Sequence, residues 1–106
     1  VISGGFNVYP SEVEAVLHQH EAVADACVFA IPDDKWGEAV AAHVVLKSGR
    51  TLDAQALDAF CAAQLAGFKR PRHIEFVGNL PKNPNGKVMR KAIQGPYWAG
   101  HTRMVN

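Results

Sequence analysis

A small α+β domain is what this sequence predicts: a mixed sheet of about three core strands packed with helices, plus an N-terminal β-hairpin. Three observations predict it. Apolar segments with strand chemistry recur at 24–31, 40–47 and 73–77. Helical periodicity appears between them, and the order of the two signals is mixed and non-repeating, with no internal repeat or low-complexity stretch.

Taken in order, Val1 and Ile2, then Phe6, Val8 and Tyr9, flank Gly4 and Gly5, as in a tight hairpin whose turn needs positive backbone dihedrals. Ser11 followed three residues later by Glu14 is a capping-box signature, and Val13, Val16, Leu17 and His20 recur on one face, so a short helix is expected over 11–20. The runs 24–31 and 40–47 are rich in β-branched residues and are separated by Pro-Asp-Asp-Lys-Trp-Gly, strong turn chemistry, so they read as paired strands. Asp53 can cap a helix whose buried stripe is Leu57, Phe60, Cys61 and Leu65, with Leu52 and Leu57 as a hydrophobic staple and Gly67 as its end. In 73–77, Ile74 and Phe76 share one face of a third strand. A loop dense in Pro, Asn and Gly fills 78–86, and a final short helix is expected to start near Lys87.

The 106 residues suffice for one domain and one core, and are too few to add a second ligand-binding domain. Apolar residues make up 48% and charged ones 20%, which excludes a disordered tail, and no apolar run reaches the length of a bilayer crossing. The chain begins at Val1 with no initiator Met and no leader, so it is expected to be a piece of a longer protein. Cys27 and Cys61 lie far apart among apolar neighbours, as reduced, buried thiols of a cytoplasmic protein do.

Charge is segregated along the chain. Residues 1–68 hold three basic side chains against nine acidic ones, whereas 69–91 hold seven basic ones against Glu75 alone. Such a stretch can be a solvated face, or it can focus a field on phosphate groups. The five histidines show no ligand spacing: His18 and His20 point to different helix faces, and His43 reads as a satisfied sheet residue. No metal site is expected in this chain. Gly86-Lys87 lacks the upstream glycine and the following Ser or Thr of a Walker loop, and no nucleophile triad is visible.

Three segments are more specific. Ile2-Ser-Gly-Gly-Phe-Asn-Val-Tyr-Pro-Ser-Glu-Val-Glu14, then Trp36-Gly37-Glu38 after Pro32-Asp33, then Leu80-Pro-Lys-Asn-Pro-Asn-Gly-Lys-Val-Met-Arg90, follow one another at the intervals seen in the adenylate-forming superfamily. On these motifs residues 1–94 resemble the small C-terminal lid domain of an AMP-binding acyl-CoA synthetase, and 95–106 form a tail beyond the resemblance.

The resemblance implies a two-step reaction with ATP and CoA as substrates. A carboxylate attacks the α-phosphate of ATP to give an acyl-adenylate and pyrophosphate; a thiol then attacks the acyl carbon and expels AMP. The missing N-terminal domain of the same chain is implied to hold ATP, Mg²⁺ and the acid, while the small domain rotates between the steps. The isolated fragment is therefore expected to be inactive.

Residue by residue, the resemblance aligns Lys87 with the catalytic lysine of the first step, a fixed ammonium beside the charge that builds around the α-phosphorus. Ser3, Gly4 and Gly5 match the segment lining the pantetheine channel; the glycines also serve as a plain hairpin turn, and the two readings are compatible. Trp36, Phe68, Arg70 and Arg72 match positions that hold the nucleotide end of CoA, an aromatic face for adenine and guanidinium groups for phosphates. Trp36 can instead pack under the strand turn and Phe68 can anchor a helix end. Two other readings stay open. One is the lid of an adenylation domain that loads the phosphopantetheine of a carrier protein. The other is a small basic module binding RNA through 69–91, against which stands the lack of stacking aromatics on the strands, so that no nucleic acid is the expected partner.

Overall fold

The structure, a computed structural model, describes residues 2–3, 6–35 and 37–100, with Ser3 and Phe6 described as backbone only. Two short strands, β1 (Ile2–Ser3) and β2 (Phe6–Asn7), pair antiparallel as the expected hairpin. They are followed by α1 (Pro10–His18), β3 (Val23–Asp33), β4 (Gly37–Leu46), α2 (Ala54–Ala62), a 3-10 turn (Gly67–Lys69), β5 (His73–Phe76) and α3 (Arg90–Trp98).

The long strands β3 and β4 form an antiparallel hairpin from Val23↔Leu46 to Asp33↔Gly37. Gly37 closes it at φ +80°, a conformation that β-branched or bulky side chains avoid. On its other side β4 pairs parallel with β5, Ala41↔His73 to Val44↔Phe76, and at its start parallel with β1 through Ser3↔Glu38. A parallel pair needs a crossover, and α2 supplies it between β4 and β5. The result is the mixed α+β sheet that the sequence predicts, with β4 in the centre.

Both faces of the sheet are covered, which is why β3 and β4 read as continuous apolar runs and not as alternating ones. Val28, Val40, Ala42 and Val44 face α1 and α2, against Val13, Leu17, Leu57 and Cys61. Cys27, Phe29 and Ala41 face the opposite way, against Ile93 of α3 and Leu80. Phe29 is fully buried there, and a side chain of that size contributes about 1.5–3 kcal/mol.

The outer edge of β3 has no strand beside it among the described residues, yet several of its backbone groups are satisfied by side chains. Ala26 N–H donates to Asp25 Oδ1 (2.9 Å) and Val28 N–H to Glu14 Oε2 (2.8 Å). Val28 C=O accepts from Arg90 Nε (2.9 Å). Ala30 N–H donates to Gln94 Oε1 (3.3 Å), and Ala30 C=O accepts from Trp98 Nε1 (2.8 Å).

Three local expectations are corrected. The helix α1 starts at Pro10 behind Tyr9, with no side-chain cap; proline suits the first helical position, so Ser11 falls inside the first turn. The carboxylate of Glu14, freed from any capping role, binds Val28 N–H and Arg90 instead. The helix α2 is capped as expected, Asp53 Oδ1 accepting from Ala56 N–H at 2.7 Å, but it ends at Ala62. The N–H groups of Gln64 and Leu65 both turn back on the Cys61 carbonyl, and Gly67 begins the next turn rather than ending the helix. Finally, α3 starts at Arg90 and not near Lys87, because the Lys82↔Val88 bridge and the Met89 N–H to Pro81 C=O bond hold the preceding residues extended. Tyr97 and Trp98 pack on the sheet through α3, which runs through Gly95 and Pro96.

Candidate functional site

Lys87 stands on a small closed loop. The Lys82↔Val88 bridge forms its base, and Asn83 spans it from both backbone and side chain. Asn83 N–H donates to Lys87 C=O (2.9 Å) and Gly86 N–H to Asn83 C=O (2.9 Å). The Asn83 side-chain Oδ1 accepts from Asn85 N–H (2.9 Å) and from Lys87 N–H (3.0 Å). Gly86 adopts φ +84°, which turns the chain into Lys87 without strain. The Lys87 side chain is exposed, and its ammonium makes no ion pair with any other described residue.

Both flanks of this loop are fastened to β3. On one side Lys82 Nζ lies 3.2 Å from Asp25 Oδ2. On the other, Arg90 holds Val28 C=O and pairs with Glu14 Oε2 at 2.8 Å. Burial alone lowers the pKa of the Arg90 guanidinium; the hydrogen bond and charge of Glu14 outweigh it and raise the pKa.

The second cationic group lies across the sheet. Phe68, Arg70 and Arg72 line an open groove of about 680 Å³ together with Asp58, Gln55 and Ile74. Arg70 is clamped by Asp58, Nε to Oδ1 at 3.2 Å and Nη2 to Oδ2 at 2.6 Å, a fork that fixes the guanidinium plane. Arg72 N–H donates to Val40 C=O (2.8 Å), which seats its backbone at the head of β5, and its side chain is exposed. Phe68 is half-buried: it packs against the α1 and α2 core and also lines the groove, with Lys69 Nζ 5.7 Å from the ring centroid. Lys69 in turn pairs with Glu12 at 2.8 Å.

The structure thus brings Phe68, Arg70 and Arg72 together, and Lys87 does not line their groove. The loop is fastened to β3 and the groove sits at β5, strands on opposite sides of β4 and about 10 Å apart at ordinary strand spacing. Ser3 pairs with Phe6 and with Glu38 through its backbone. Trp36, Gly4 and Gly5 lie outside the described residues.

Much of the basic stretch is neutralised. Lys69, Arg70, Lys82 and Arg90 pair with Glu12, Asp58, Asp25 and Glu14, all from the acidic first part of the sequence. Sequence reasoning missed Asp58 as a site residue, because nothing in the spacing marks a helix carboxylate as the partner of a guanidinium twelve residues on. It also passed over Asn83, although Asn-Pro-Asn-Gly carried the signal: Asn side chains commonly bond the backbone two residues ahead.

The remaining titratable groups are structural. Cys27 and Cys61 are free and buried; burial raises the Cys27 pKa and pushes the Cys61 thiol up to about 11, Asp58 adding to the latter. Burial lowers the His43 pKa, and His43 Nε2 lies 2.8 Å from the Tyr97 hydroxyl. Among the described residues no three His, Cys, Asp or Glu side chains converge to hold a metal ion, and no helix is long and apolar enough to cross a membrane.

Comparison with known proteins agrees with this architecture. The model of the AMP-binding enzyme C-terminal domain matches residues 12–87. A fatty acid–[acyl-carrier-protein] ligase, ScoC, of Streptomyces coeruleorubidus is 42% identical over 106 residues, 100% of this chain and 20% of its own length. A long-chain-fatty-acid–CoA ligase of Bacillus subtilis is 45% identical over 93 residues, 88% of this chain and 17% of its own. Among solved structures, a Mycobacterium tuberculosis fatty acyl CoA synthetase superposes with TM-score 0.86 at 37% identity, over 93% of this chain and 20% of that one. This chain belongs to the AMP-binding enzyme C-terminal domain family. It spans about a fifth of the length of the curated relatives it matches.

Proposed function

We propose that this chain is the mobile C-terminal domain of an ATP-dependent carboxylic acid–CoA ligase. The acid and ATP are held by an N-terminal domain of the same protein, which the short span of the match leaves room for. In the first step a carboxylate oxygen bonds the α-phosphorus and pyrophosphate leaves; in the second the thiol sulfur bonds the acyl carbon and AMP leaves. Mg²⁺ bound with ATP in the N-terminal domain would offset phosphate charge, and none of this chain's residues is assigned to hold it.

The observation that carries the reading is Lys87, an exposed ammonium without an ion pair among the described residues, on a hydrogen-bonded loop in a member of this family. A compact charge held outward can meet the negative charge that grows around the phosphorus, and its benefit is greatest when no resident carboxylate already neutralises it. In this reading the groove of Phe68, Arg70 and Arg72 receives the nucleotide end of CoA in the second step, and the roles implied for Trp36 (stacking on adenine) and for Ser3, Gly4 and Gly5 (the pantetheine path) rest on the sequence motifs alone. Loop and groove sit at opposite edges of the sheet, so each step presents a different face of the domain, which is what a rotation between steps accomplishes. The two free, buried thiols suit a reducing compartment, and the protein is assigned to the cytoplasm.

A second reading has its own support. ScoC is a ligase of fatty acid to acyl carrier protein, so the thiol can belong to a carrier-borne phosphopantetheine. A groove with two arginines serves a nucleotide better than a bare arm, which favours CoA. The RNA reading loses ground, since Lys69, Arg70, Lys82 and Arg90 of the basic stretch are already paired with carboxylates.

The test uses the full-length protein and separates the half-reactions. Lys87→Ala should cripple acyl-adenylate formation and leave thioester formation from a supplied acyl-adenylate intact. Equal loss in both would remove Lys87 from the assigned role, and transfer to holo-carrier protein but not to CoA would select the second reading.

A further inference from the structure

The Lys87 loop contains a residue whose every hydrogen-bonding group on one side of the turn is committed to holding it. Asn83 donates its N–H to Lys87 C=O, accepts Gly86 N–H on its own C=O, and accepts the N–H groups of both Asn85 and Lys87 on Oδ1. Lys87 is therefore gripped at both of its backbone polar groups by one residue, its N–H by the Asn83 side chain and its C=O by the Asn83 backbone.

We propose that Asn83 is a positioning residue for adenylation: its side-chain oxygen fixes the Cα–Cβ direction of Lys87, and so the arc its ammonium can sweep. The inference rests on the reading of Lys87 as the group that meets the reacting phosphate. The physical argument is one of leverage. The ammonium stands on four methylenes, has no ion pair to orient it among the described residues, and is directed only by the backbone from which it springs. Removing Oδ1 leaves the N–H groups of Asn85 and Lys87 to water and loosens the turn at its tip, while the two backbone bonds of Asn83, the strand bridge, the Pro81–Met89 bond and the two β3 fastenings remain. The loop would persist, but with the lysine aimed over a wider cone. A misplacement of about 1 Å at a reacting centre costs on the order of 100-fold in rate.

The experiment compares Asn83→Ala, Asn83→Ser, Gly86→Ala and Lys87→Ala in the full-length protein, measuring single-turnover pyrophosphate release and, separately, thioester formation from supplied acyl-adenylate. Asn83→Ala is expected to slow adenylation roughly 10- to 100-fold with the KM for ATP unchanged and the thioester step within about two-fold of wild type. Asn83→Ser keeps a side-chain acceptor, as Ser–backbone turns do more weakly, and should recover most of that loss. Gly86→Ala strains the same turn from another atom, at φ +84°, and should show the same selective defect. An Asn83→Ala enzyme with normal adenylation, or with equal loss in both steps, overturns the proposal. So does a Ser variant no better than Ala. If Asn83→Ala cannot be purified folded, Gly86→Ala decides: normal adenylation there refutes the positioning role. Lys87→Ala with undiminished adenylation brings down the underlying reading instead, which is a different result from a severe Lys87→Ala beside a silent Asn83→Ala.

Discussion

The two cationic regions are built on opposite plans. In the loop the backbone is fixed and the charge is free: Asn83 grips Lys87 N–H and C=O, and the ammonium has no carboxylate within the described residues. In the groove the charge itself is fixed, with Asp58 holding Arg70 by two bonds. The difference would suit the two tasks proposed for them. A charge meant for a ligand whose own charge does not change gains by being pre-aimed, even at partial neutralisation. A charge meant for a transition state gains by keeping its full field until the moment it is needed.

The sharpest way to break this comparison is Lys87→Ala, for which about a 100- to 1000-fold loss is expected in adenylation alone, the scale seen when one electrostatic contact to a transition state is removed. The positioning effect of Asn83 described above comes next. Truncating both Arg70 and Arg72 to Ala should raise the KM for CoA on the order of 10-fold or more with adenylation unchanged, since hydrogen bonds to charged groups contribute about 1.5–3 kcal/mol. An unchanged KM would take both out of the thiol step. Asp58→Ala tests the pre-aiming itself. With the clamp gone, Arg70 must be ordered by the ligand at a cost of about 0.5–1.5 kcal/mol, so the KM for CoA should rise about three-fold; a fall would mean that Asp58 competes with the ligand's phosphates.

The smallest effect belongs to neither region and serves as their control. Burial holds the His43 pKa below its ordinary value near 6.5, against the opposing charge of Glu75. Tyr97, His73 and Glu75 surround it on the α3 face of the sheet. As the pH falls below about 6.5 the unfolded chain takes up this proton first, so stability is full above that value and declines down to the folded pKa. Urea melts of this chain between pH 7.5 and 5 should show the decline, and His43→Gln should flatten it. A wild-type curve as flat as the variant's would contradict the assignment.

What was legible in the sequence follows what the chain determines locally. The β3–β4 hairpin, the Asp53 cap and the third strand depend on residues close together or on simple periodicity. The errors fall where a distant partner decides. Glu14 stands in a capping-box spacing, but β3 and Arg90 offer its carboxylate an unpaired N–H and a guanidinium, 14 and 76 residues away. The late start of α3 has the same origin, since the bridge from Lys82 to Val88 competes with the first helical turn. For the site, the motif around Lys87 singles out a candidate, but how that residue is held depends on the side chain of Asn83, and Asp58 was invisible because only folding brings it to Arg70. The sequence shows the basic stretch in one dimension, and the fold answers it with carboxylates from earlier in the chain, Glu12, Glu14 and Asp25 from far off and Asp58 from the helix just before it.

The outer edge of β3 has a consequence for the lid role proposed above. Bare strands recruit other strands, and a lid that detached from its partner domain in each turnover would offer such a template thousands of times. Here the outward donors of Ala26, Val28 and Ala30 are already occupied by Asp25, Glu14 and Gln94, with Arg90 and Trp98 on the carbonyls of Val28 and Ala30. At Val28 and Ala30 both outward groups are taken, so a lid finished in this way could open without inviting self-association along that stretch of the border.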